Sequence, residues 1–371
     1  MPEHHPHILP IRPDAPWLAP LAGYSDLPFR LLCRENGAAV CCTEMVSAKG
    51  MHYSNKGTSR LLDTEPADAP LVVQLFGSEA RYLDEALTRC VELGFSWFDL
   101  NAGCPVPKVV KTGAGAALSK APDQLHTLVR AMVDAANRAG LPAIPPAAGP
   151  GQGRAVGRVG AKIRLGWDMG EDRADELALA VQEAGAGWLT LHPRHARQGY
   201  AGTAQWAALA RVKALLSIPV IASGDLILPE DGVRCVRETG VDGLMFARGA
   251  LANPAICAEY LHLLAGGEPA EPSPERVVAL IRRHVALFRS HGSEHLALLR
   301  MRTIVPRYVK RLPDAGTLRR AMALCRSFEE SEAILESYLH HCRTCGASWS
   351  PYAPPAPAPR GEGAPATEDN A

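Results

Sequence analysis

Eight short apolar runs constrain the fold of this 371-residue chain most strongly. Turn residues bound each run, and a longer segment of helical spacing separates it from the next, which is the pattern of repeated βα units around a parallel sheet. The predicted strands are 16–23, 39–45, 70–77, 96–103, 160–167, 187–194, 218–225 and 242–249. Eight such strands close a (β/α)8 TIM barrel, whose active site lies where the strands end. The sequence therefore predicts an α/β fold with its chemistry on one rim.

The rest of the chain divides by composition. Residues 1–14 are expected to form an N-terminal arm before a barrel at 15–266, and the Gly/Pro-rich stretch 143–159 to be a surface insertion. From 267 to 346 the spacing is helical and arginines are frequent, which predicts a small all-helical domain. Residues 347–371 have too few apolar groups to fold, so we expect a disordered tail.

Composition excludes some classes of protein. No apolar run is long enough for a membrane span, and the N-terminus lacks the pattern of a signal peptide, so a cytoplasmic location is expected. The formal net charge is zero, and any nucleic-acid surface must therefore be local. The cysteines are scattered, as free thiols in a reducing compartment would be. A single CxxC at Cys342 and Cys345, after His340 and His341, is a weak zinc signal, and no metal is predicted.

The sharpest local signal is the segment Asn101-Ala102-Gly103-Cys104-Pro105. Pro105 keeps Cys104 out of helical geometry and Gly103 permits a sharp turn, so the thiol should project from a rim loop. We therefore predict a reactive cysteine, with a structural thiol in a tight turn as the alternative.

Lys162 and Arg164 alternate on the fifth predicted strand, so both should point into the barrel near its carboxyl end. A reduced flavin, negative on its pyrimidine portion, would suit such a lysine, and the arginine could meet a substrate carbonyl or phosphate. The alternative is an internal salt bridge with Asp99 or Glu44.

Polar and glycine residues follow the last three predicted strands. His192 ends the sixth strand, eight residues before Tyr200, and is either a structural histidine or a ligand of the active rim. The turns after strands seven and eight occupy the positions where barrels commonly bind phosphate. They consist of Ser223, Gly224 and Asp225, and of Ala247, Arg248, Gly249 and Ala250.

Taken in order, these segments resemble the dihydrouridine synthase family of tRNA-modifying flavoenzymes, most closely its bacterial B-type branch. The resemblance covers nearly the whole ordered chain and rests on motifs in family order. They are APLAGYSDLPFR, TEMVSA, VQLFGS, DLNAGCP, GAGAAL, KIRLGW, LHPR, PVIASGD and ARGAL, followed by MRTIVPRYVKRLPDAGTLRRAM.

The resemblance implies an FMN-dependent, NADPH-linked enzyme that reduces uridine in tRNA to dihydrouridine. Hydride would pass from flavin N5 to C6 of uracil, while Cys104 donates a proton to C5. The implied FMN contacts are Pro20, Leu21, Ala22, Gln74, Lys162, His192, Ser223, Gly224, Asp225, Ala247, Arg248 and Gly249. The implied uracil contacts are Asn101, Cys104, Lys162, Arg164 and Tyr200.

The resemblance also implies that the helical domain binds tRNA. Its basic residues would supply the phosphate-binding surface that the neutral whole-chain charge hides. They include Arg300, Arg302, Arg307, Lys310, Arg311, Arg319 and Arg320. The D-loop is the implied target, a monomer is the default, and no stable protein partner is expected.

The sequence departs from the family in three places. Ser223 stands where an asparagine is usual, Pro306 falls in the helical motif, and the insertion is long. The rival interpretations are a barrel flavoenzyme acting on a small molecule, which would not need a basic helical domain, and a tRNA-binding protein on an inactive barrel.

Overall fold

A closed parallel barrel forms the larger part of the molecule. The computed structural model describes residues 9–143, 157–270 and 273–344. Its strands are β1 Trp17–Leu18, β2 Val40–Cys42, β3 Val46–Ser47, β4 Leu71–Phe76, β5 Phe98–Ala102, β6 Val159–Arg164, β7 Trp188–His192, β8 Val220–Ala222 and β9 Gly243–Phe246. All pairings are parallel, in the order β2-β1-β9-β8-β7-β6-β5-β4-β3, and a further β2–β4 pairing closes the ring.

The ring contains eight strands, with β3 as a short addition beside the end of β4. This confirms the predicted (β/α)8 TIM barrel. Each predicted run coincides with a strand of the ring, and all eight strands are shorter than predicted. The second run was predicted as one strand at 39–45, whereas the structure has a strand over Val40–Cys42 and a separate two-residue strand after Met45.

Aromatic side chains fill the barrel interior. Trp188 lies at the centre, with its ring centroid 5.8 Å from that of Trp17 and 6.3 Å from that of Trp97. Gly160 makes room for it, since a Cβ at that position would lie 2.0 Å from Trp188 Cε2. Such packing fills the barrel interior below the carboxyl rim, where the polar strand ends meet.

Helices surround the barrel and continue beyond it. They are α1 Leu27–Glu35, α2 Ala48–His52, α3 Lys56–Ser59, α4 Ala80–Glu92, α5 Pro107–Val110, α6 Pro122–Arg138, α7 Ala174–Glu183, α8 Trp206–Leu215, α9 Pro229–Thr239, α10 Arg248–Ala252, α11 Ile256–Leu264, α12 Pro274–Ser290, α13 Glu294–Tyr308, α14 Ala315–Leu324 and α15 Phe328–Thr344. Among the described residues, four 3-10 helices cover Arg60–Leu62, Pro66–Asp68, Gly115–Lys120 and Val309–Arg311.

The outer helices are amphipathic. In α6, Leu125, Leu128, Val129 and Met132 recur at helical spacing and are buried, while Pro122 occupies the first turn, where its missing N–H costs no hydrogen bond. No helix among the described residues is both long and apolar enough to cross a membrane.

Helices α12 to α15 form the C-terminal helical part. Helix α12 packs against α13 and α15, and α14 packs against the same two helices. Pro306 lies in the last turn of α13, where it removes one backbone hydrogen bond to the preceding turn but leaves the rest of the helix before it intact. The structure thus confirms that a helical region follows the barrel.

A buried aromatic group joins the two parts. His284 of α12 stacks on Phe288 at 4.1 Å between ring centroids and lies 5.7 Å from Phe29 of α1. Its Nδ1 is 2.8 Å from the Tyr308 hydroxyl. Burial lowers the pKa of His284 to about 3, so the ring is neutral and packs as an aromatic group. Arg283 adds an ion pair with Glu35 at the edge of this contact.

Three predicted segments lie wholly or mostly outside the described residues: the start of the N-terminal arm, most of the insertion at 143–159, and the tail at 347–371. The described end of the arm packs on the barrel. Leu9 is buried, and the Trp17 indole donates to the Pro10 carbonyl at 2.9 Å. The division into domains otherwise stays a prediction.

Candidate active site

A cavity of about 370 Å³ opens on the carboxyl rim of the barrel. Its size falls within the range of small-molecule and cofactor sites. Its lining residues are Ala19, Pro20, Leu21, Ala22, Tyr24, Met45, Asn101, Gly103, Cys104, Pro105, Val106, Lys162, Arg164, His192, Tyr200, Ser223, Gly224, Asp225, Leu226, Ile227, Ala247, Arg248 and Leu251. The ends of most strands of the ring therefore contribute to one site.

Cys104 lies on the loop after β5, and backbone hydrogen bonds fix its position. The Asn101 side-chain oxygen accepts from the amides of Gly103 and Cys104, at 3.2 and 3.0 Å, and the Ala116 amide donates to the Cys104 carbonyl at 2.9 Å. Gly115 has φ +61°, and a Cβ there would lie 2.7 Å from that carbonyl. Burial raises the pKa of the Cys104 thiol above its ordinary value, despite the nearby cations, so the thiol is neutral.

A chain of amides and a carboxyl supports this loop from below. Asn101 Nδ2 donates to Gln74 Oε1, and Gln74 Nε2 donates to Asp99 Oδ2, each at 2.7 Å. All three side chains are buried, and the second Asp99 oxygen has no hydrogen-bond partner among the described residues. Burial raises the pKa of Asp99 to about 7. The orientation of Asn101, and with it the Cys104 turn, therefore depends on Gln74 and Asp99.

Lys162 projects from β6 beside this chain, since sheet register pairs it with Asn101. No carboxylate of the described residues lies within 4 Å of its ammonium group, so the alternative of a salt bridge with Asp99 or Glu44 is not seen in the structure. Burial, followed by repulsion from Arg164, lowers the pKa of Lys162 to about 8. The cavity thus contains a cation that has no ion-pair partner among the described residues.

Arg164 is held by three carbonyl groups at the end of the same strand. Its Nε donates to the Gly103 carbonyl at 2.9 Å, and its Nη1 donates to the carbonyls of His195 and Gly199 at 3.0 Å. The guanidinium carbon lies 5.9 Å from the Tyr200 ring centroid. Arg164 therefore connects the Cys104 loop with the loop that carries Tyr200.

A second cationic group, formed by Arg194 and Arg248, lies at the ends of β7 and β9. Arg194 binds the Asp225 carboxylate with both contacts at 2.7 Å, and Arg248 binds the same carboxylate at 2.9 Å. Arg248 also lies 4.5 Å from the Tyr200 ring centroid. Burial, together with repulsion from Lys162, Arg164, Arg194 and Arg248, holds the pKa of His192 well below its ordinary value, so its ring is neutral. The net charge of this side is positive.

The turn after β8 brings backbone close to the cavity. Gly224 and Asp225 have φ of +126° and +54°. A Cβ on Gly224 would lie 2.7 Å from His192 Cδ2, so this position excludes other side chains. The Trp206 indole donates to the Gly224 carbonyl at 3.1 Å and fixes the turn from outside. The pKa of Asp225 is lowered: burial alone would raise it, but hydrogen bonds from the Ala204 amide and Arg194 outweigh that effect.

The turn after β1 forms the wall next to the helical part. Arg307 of α13 donates to the Tyr24 hydroxyl, and its guanidinium carbon lies 4.7 Å from the Tyr24 ring centroid. Arg300, which lies two helical turns before Arg307, donates to the Gly23 carbonyl at 2.7 Å. Glu44 accepts from the Gly23 amide on the barrel side.

The structure brings most of the predicted site residues to this cavity. Gln74 and Gly249 do not line it: the Gln74 amide is occupied by Asp99 and Asn101, and Gly249 lies against the Leu226 carbonyl and Ile256. The roles of the predicted residues stay predictions. Sequence reasoning missed the lining residues Ala19, Tyr24, Met45, Gly103, Pro105, Val106, Leu226, Ile227 and Leu251. Their only signal was proximity to the predicted residues in the same rim loops.

Three of the basic residues predicted for tRNA phosphates contact the protein itself. Arg300 and Arg307 contact the turn after β1, and Arg302 donates to the Cys325 carbonyl. The other four, Lys310, Arg311, Arg319 and Arg320, are exposed. Cys342 is on the last described helix, and Cys345 lies outside the described residues. The described residues contain no group of three or more side chains arranged to hold a metal ion.

A parallel βα-barrel with a cationic cavity on its carboxyl rim is the architecture of a barrel enzyme. The chain belongs to the dihydrouridine synthase family, whose family model, described as "Dihydrouridine synthase (Dus)", matches residues 17–343. The resemblance found in the sequence is thereby confirmed.

Relatives from three bacteria agree with this assignment. A probable tRNA-dihydrouridine synthase 1 of Synechocystis sp. is 33% identical, covering 88% of this chain and 87% of the relative. A probable tRNA-dihydrouridine synthase of Treponema pallidum is 36% identical, with 79% and 84% covered. A tRNA-dihydrouridine synthase B of Pseudomonas aeruginosa is 35% identical, with 81% and 86% covered. A B-type relative is thus among the similar proteins.

Proposed function

We propose that this protein reduces specific uridines of tRNA to 5,6-dihydrouridine, with FMN bound in the rim cavity and Cys104 as the proton donor. The observation that carries the proposal is the pairing, in one cavity, of a neutral thiol on a fixed loop with the unneutralised cation of Lys162. Membership of the dihydrouridine synthase family supports the choice of substrate.

The residues of the cavity suit FMN. Lys162 has no carboxylate partner among the described residues, and a reduced flavin would supply the negative charge that a buried ammonium group requires. Arg248 and the glycine turn at Gly224 would hold the phosphate, and Pro20, Leu21 and Ala22 would contact the ring system. Ser223, Asp225 and Ala247 complete the proposed contact set around the phosphate, with His192 near the ring. Gln74 and Gly249, which do not line the cavity, would support these contacts from behind.

Reduced FMN bound here would supply the hydride for C6 of uracil. The protein supplies the proton: Cys104 must be a protonated thiol, and burial keeps it so. Asn101 orients the Cys104 turn, while the exposed Tyr200 and the buried Arg164 line the part of the cavity that an extruded base would occupy. NADPH is the proposed reductant that regenerates the flavin.

Exposed lysines beside Cys104 extend the proposed tRNA surface across the rim. Lys108, Lys111 and Lys120 lie on the segment between Cys104 and α6, which contains no acidic residue from position 103 to 122. None of the three forms an ion pair with another described residue. Together with the exposed cations of the helical part, they would contact phosphates on both sides of the target nucleotide.

The proposal is tested by anaerobic single-turnover oxidation of the reduced flavoprotein with tRNA that lacks dihydrouridine. Oxidation of the flavin and a gain of two hydrogens at one uridine, located by mass spectrometry of nuclease fragments, are expected. A flavoprotein that tRNA does not oxidise would instead favour an enzyme acting on a small molecule, and a protein without affinity for flavin would favour a non-enzymatic tRNA-binding protein.

The proposed tRNA surface beside Cys104 is tested by the salt dependence of tRNA affinity. Replacing Lys108 and Lys111 by glutamine should reduce the slope of log Kd for tRNA against log salt concentration by about 1.5, because two phosphate contacts are lost. The matched control replaces Arg138 and Arg237, which lie in the last turns of α6 and α9 and hence on the opposite rim. An equal change in both variants would contradict a tRNA contact beside Cys104.

A further inference from the structure

The turn at residues 21–26 is clamped between the barrel and the helical part. Inside the turn, Leu21 accepts from the amides of Tyr24 and Ser25 at 2.9 Å, and its own amide donates to the Ser25 hydroxyl at 2.9 Å. These bonds shape the turn but do not attach it to its surroundings. Ala22 and Gly23, at its tip, are exposed.

The attachment comes from two sides. On the barrel side, Glu44 at the end of β2 accepts from the Gly23 amide. On the helical side, Arg300 donates to the Gly23 carbonyl at 2.7 Å and lies 3.8 Å from the Asp26 carboxylate. The tip of the turn is therefore held through its own backbone by one residue of each part.

Tyr24 faces the cavity together with Leu21 and Ala22 of the same turn. Its ring lines the cavity, and the guanidinium carbon of Arg307 lies 4.7 Å from the ring centroid. The same guanidinium donates a hydrogen bond to the Tyr24 hydroxyl. A cation over the ring and a charged donor on the hydroxyl act on one side chain, so the ring has little freedom to rotate.

We propose that Arg300 and Arg307 are positioning residues for the bound cofactor. They hold the turn at 21–26, and Tyr24 in particular, as the wall against which the flavin binds, so the helical part completes the cofactor site in addition to binding RNA. This inference rests on the proposed function, because it takes FMN as the ligand of the cavity. It also removes both arginines from the set of residues available to tRNA phosphates.

The test measures the Kd of FMN for the flavin-free protein, without RNA or turnover. Arg307→Gln should raise that Kd by about tenfold, since a charged hydrogen bond and the cation over the ring are both lost. Arg307→Lys keeps a cation that can reach the ring and should stay within about threefold of the parent protein. Tyr24→Phe, which retains the ring and loses only the hydroxyl contact, should lie between them.

The matched comparison is Arg319→Gln combined with Arg320→Gln, two exposed cations of α14 in the same helical part. This variant should leave the Kd of FMN unchanged and weaken tRNA binding in a salt-dependent way. Arg307→Gln should instead raise the Kd of FMN and leave tRNA binding unchanged. A purely structural role for Arg307 would lower both affinities and the melting temperature together, and Arg307→Lys would not restore flavin affinity.

The inference is overturned if Arg307→Gln and Arg300→Gln bind FMN as the parent protein does and lose only tRNA affinity. If Arg307→Gln fails to fold, Tyr24→Phe decides: unchanged FMN affinity in that variant overturns the inference as well. A parent protein that binds no FMN would refute the proposed function itself, so the two failures are distinguishable.

Discussion

The two walls of the cavity are built by different means. On the wall at β5 and β6, strand register places Lys162 beside Asn101. The Asn101 side chain in turn accepts from the amide of Cys104, three residues further along the chain. On the wall at Tyr24, the decisive contact joins residues that are 283 positions apart in the chain. The first wall is a product of one sheet, whereas the second requires two separately packed parts to meet.

This difference indicates a division of labour. Strands that are locked in a closed sheet can hold a proton donor and a cation within the small tolerance that chemistry requires. A turn that is held by side chains from a neighbouring set of helices adds contact surface for a ligand and carries none of the reacting groups. We therefore expect changes in the first wall to affect rates and changes in the second wall to affect binding.

The largest effect is expected from Cys104→Ala. Loss of a positioned general acid should lower the rate of dihydrouridine formation by about 10²- to 10⁴-fold, while the protein still binds FMN and tRNA. Rapid-quench single turnover with labelled tRNA measures that rate. Cys342→Ala, which removes a partly buried thiol far along the chain, is the control, and an equal loss there or full activity of Cys104→Ala would contradict the assignment.

An intermediate effect concerns pH. Lys162, with a pKa of about 8, is charged below that pH and neutral above it in the flavin-free protein. A bound anionic flavin favours the charged form and raises this pKa, so the affinity for reduced FMN is complete below about pH 8 and falls as pH rises beyond it. Anaerobic fluorescence titration from pH 6 to 10 measures this dependence.

Lys162→Arg supplies the control for that pH profile. An arginine stays charged over the whole range, so its profile should lose the decline above pH 8, while titration of the FMN phosphate remains the same in both proteins. Parallel profiles for the two proteins would exclude Lys162 as the titrating group.

The smallest effect on the single-turnover rate is expected for changes at Asp99, which supports the Cys104 loop from below. Asp99→Leu leaves the buried Gln74 amide without its acceptor and should lower the single-turnover rate by about tenfold through the Asn101 turn, with tRNA affinity unchanged. Asp99→Asn retains an oxygen acceptor and should stay within about twofold. If both variants behave alike, Asp99 does not act through Gln74.

Much of the first wall could be predicted from the sequence. Apolar runs such as DLNAG and KIRLG are short, buried and bounded by turns, and alternation alone puts Lys162 and Arg164 on the interior side. The proline after Cys104 already indicates a loop. Gln74 shows the limit: its residue type suited a flavin contact, yet its amide is bonded to Asp99 and Asn101, because pairings within the interior depend on strand stagger.

The second wall could not be predicted in the same way. Nothing in the sequence near Tyr24 indicates that an arginine from α13 will stack on its ring. The sequence also does not distinguish the arginines of α13 from one another, although Arg302 donates to the Cys325 carbonyl instead. Local patterns report on faces of helices and strands, not on which of several cations meets a distant loop. The short strand at Val46–Ser47 was missed for a similar reason, since two residues carry no period.

The tryptophans give this barrel a built-in optical reporter. Trp188, Trp17 and Trp97 occupy the interior beneath the cavity, and Trp206 holds the Gly224 turn at its edge. Indole emission overlaps the absorption of oxidised flavin, so a flavin bound above these rings would quench their emission by energy transfer. The emission would recover when the flavin dissociates. Occupancy of the cavity can thus be followed by the fluorescence of the unlabelled protein, in the parent and in every variant that keeps these four rings.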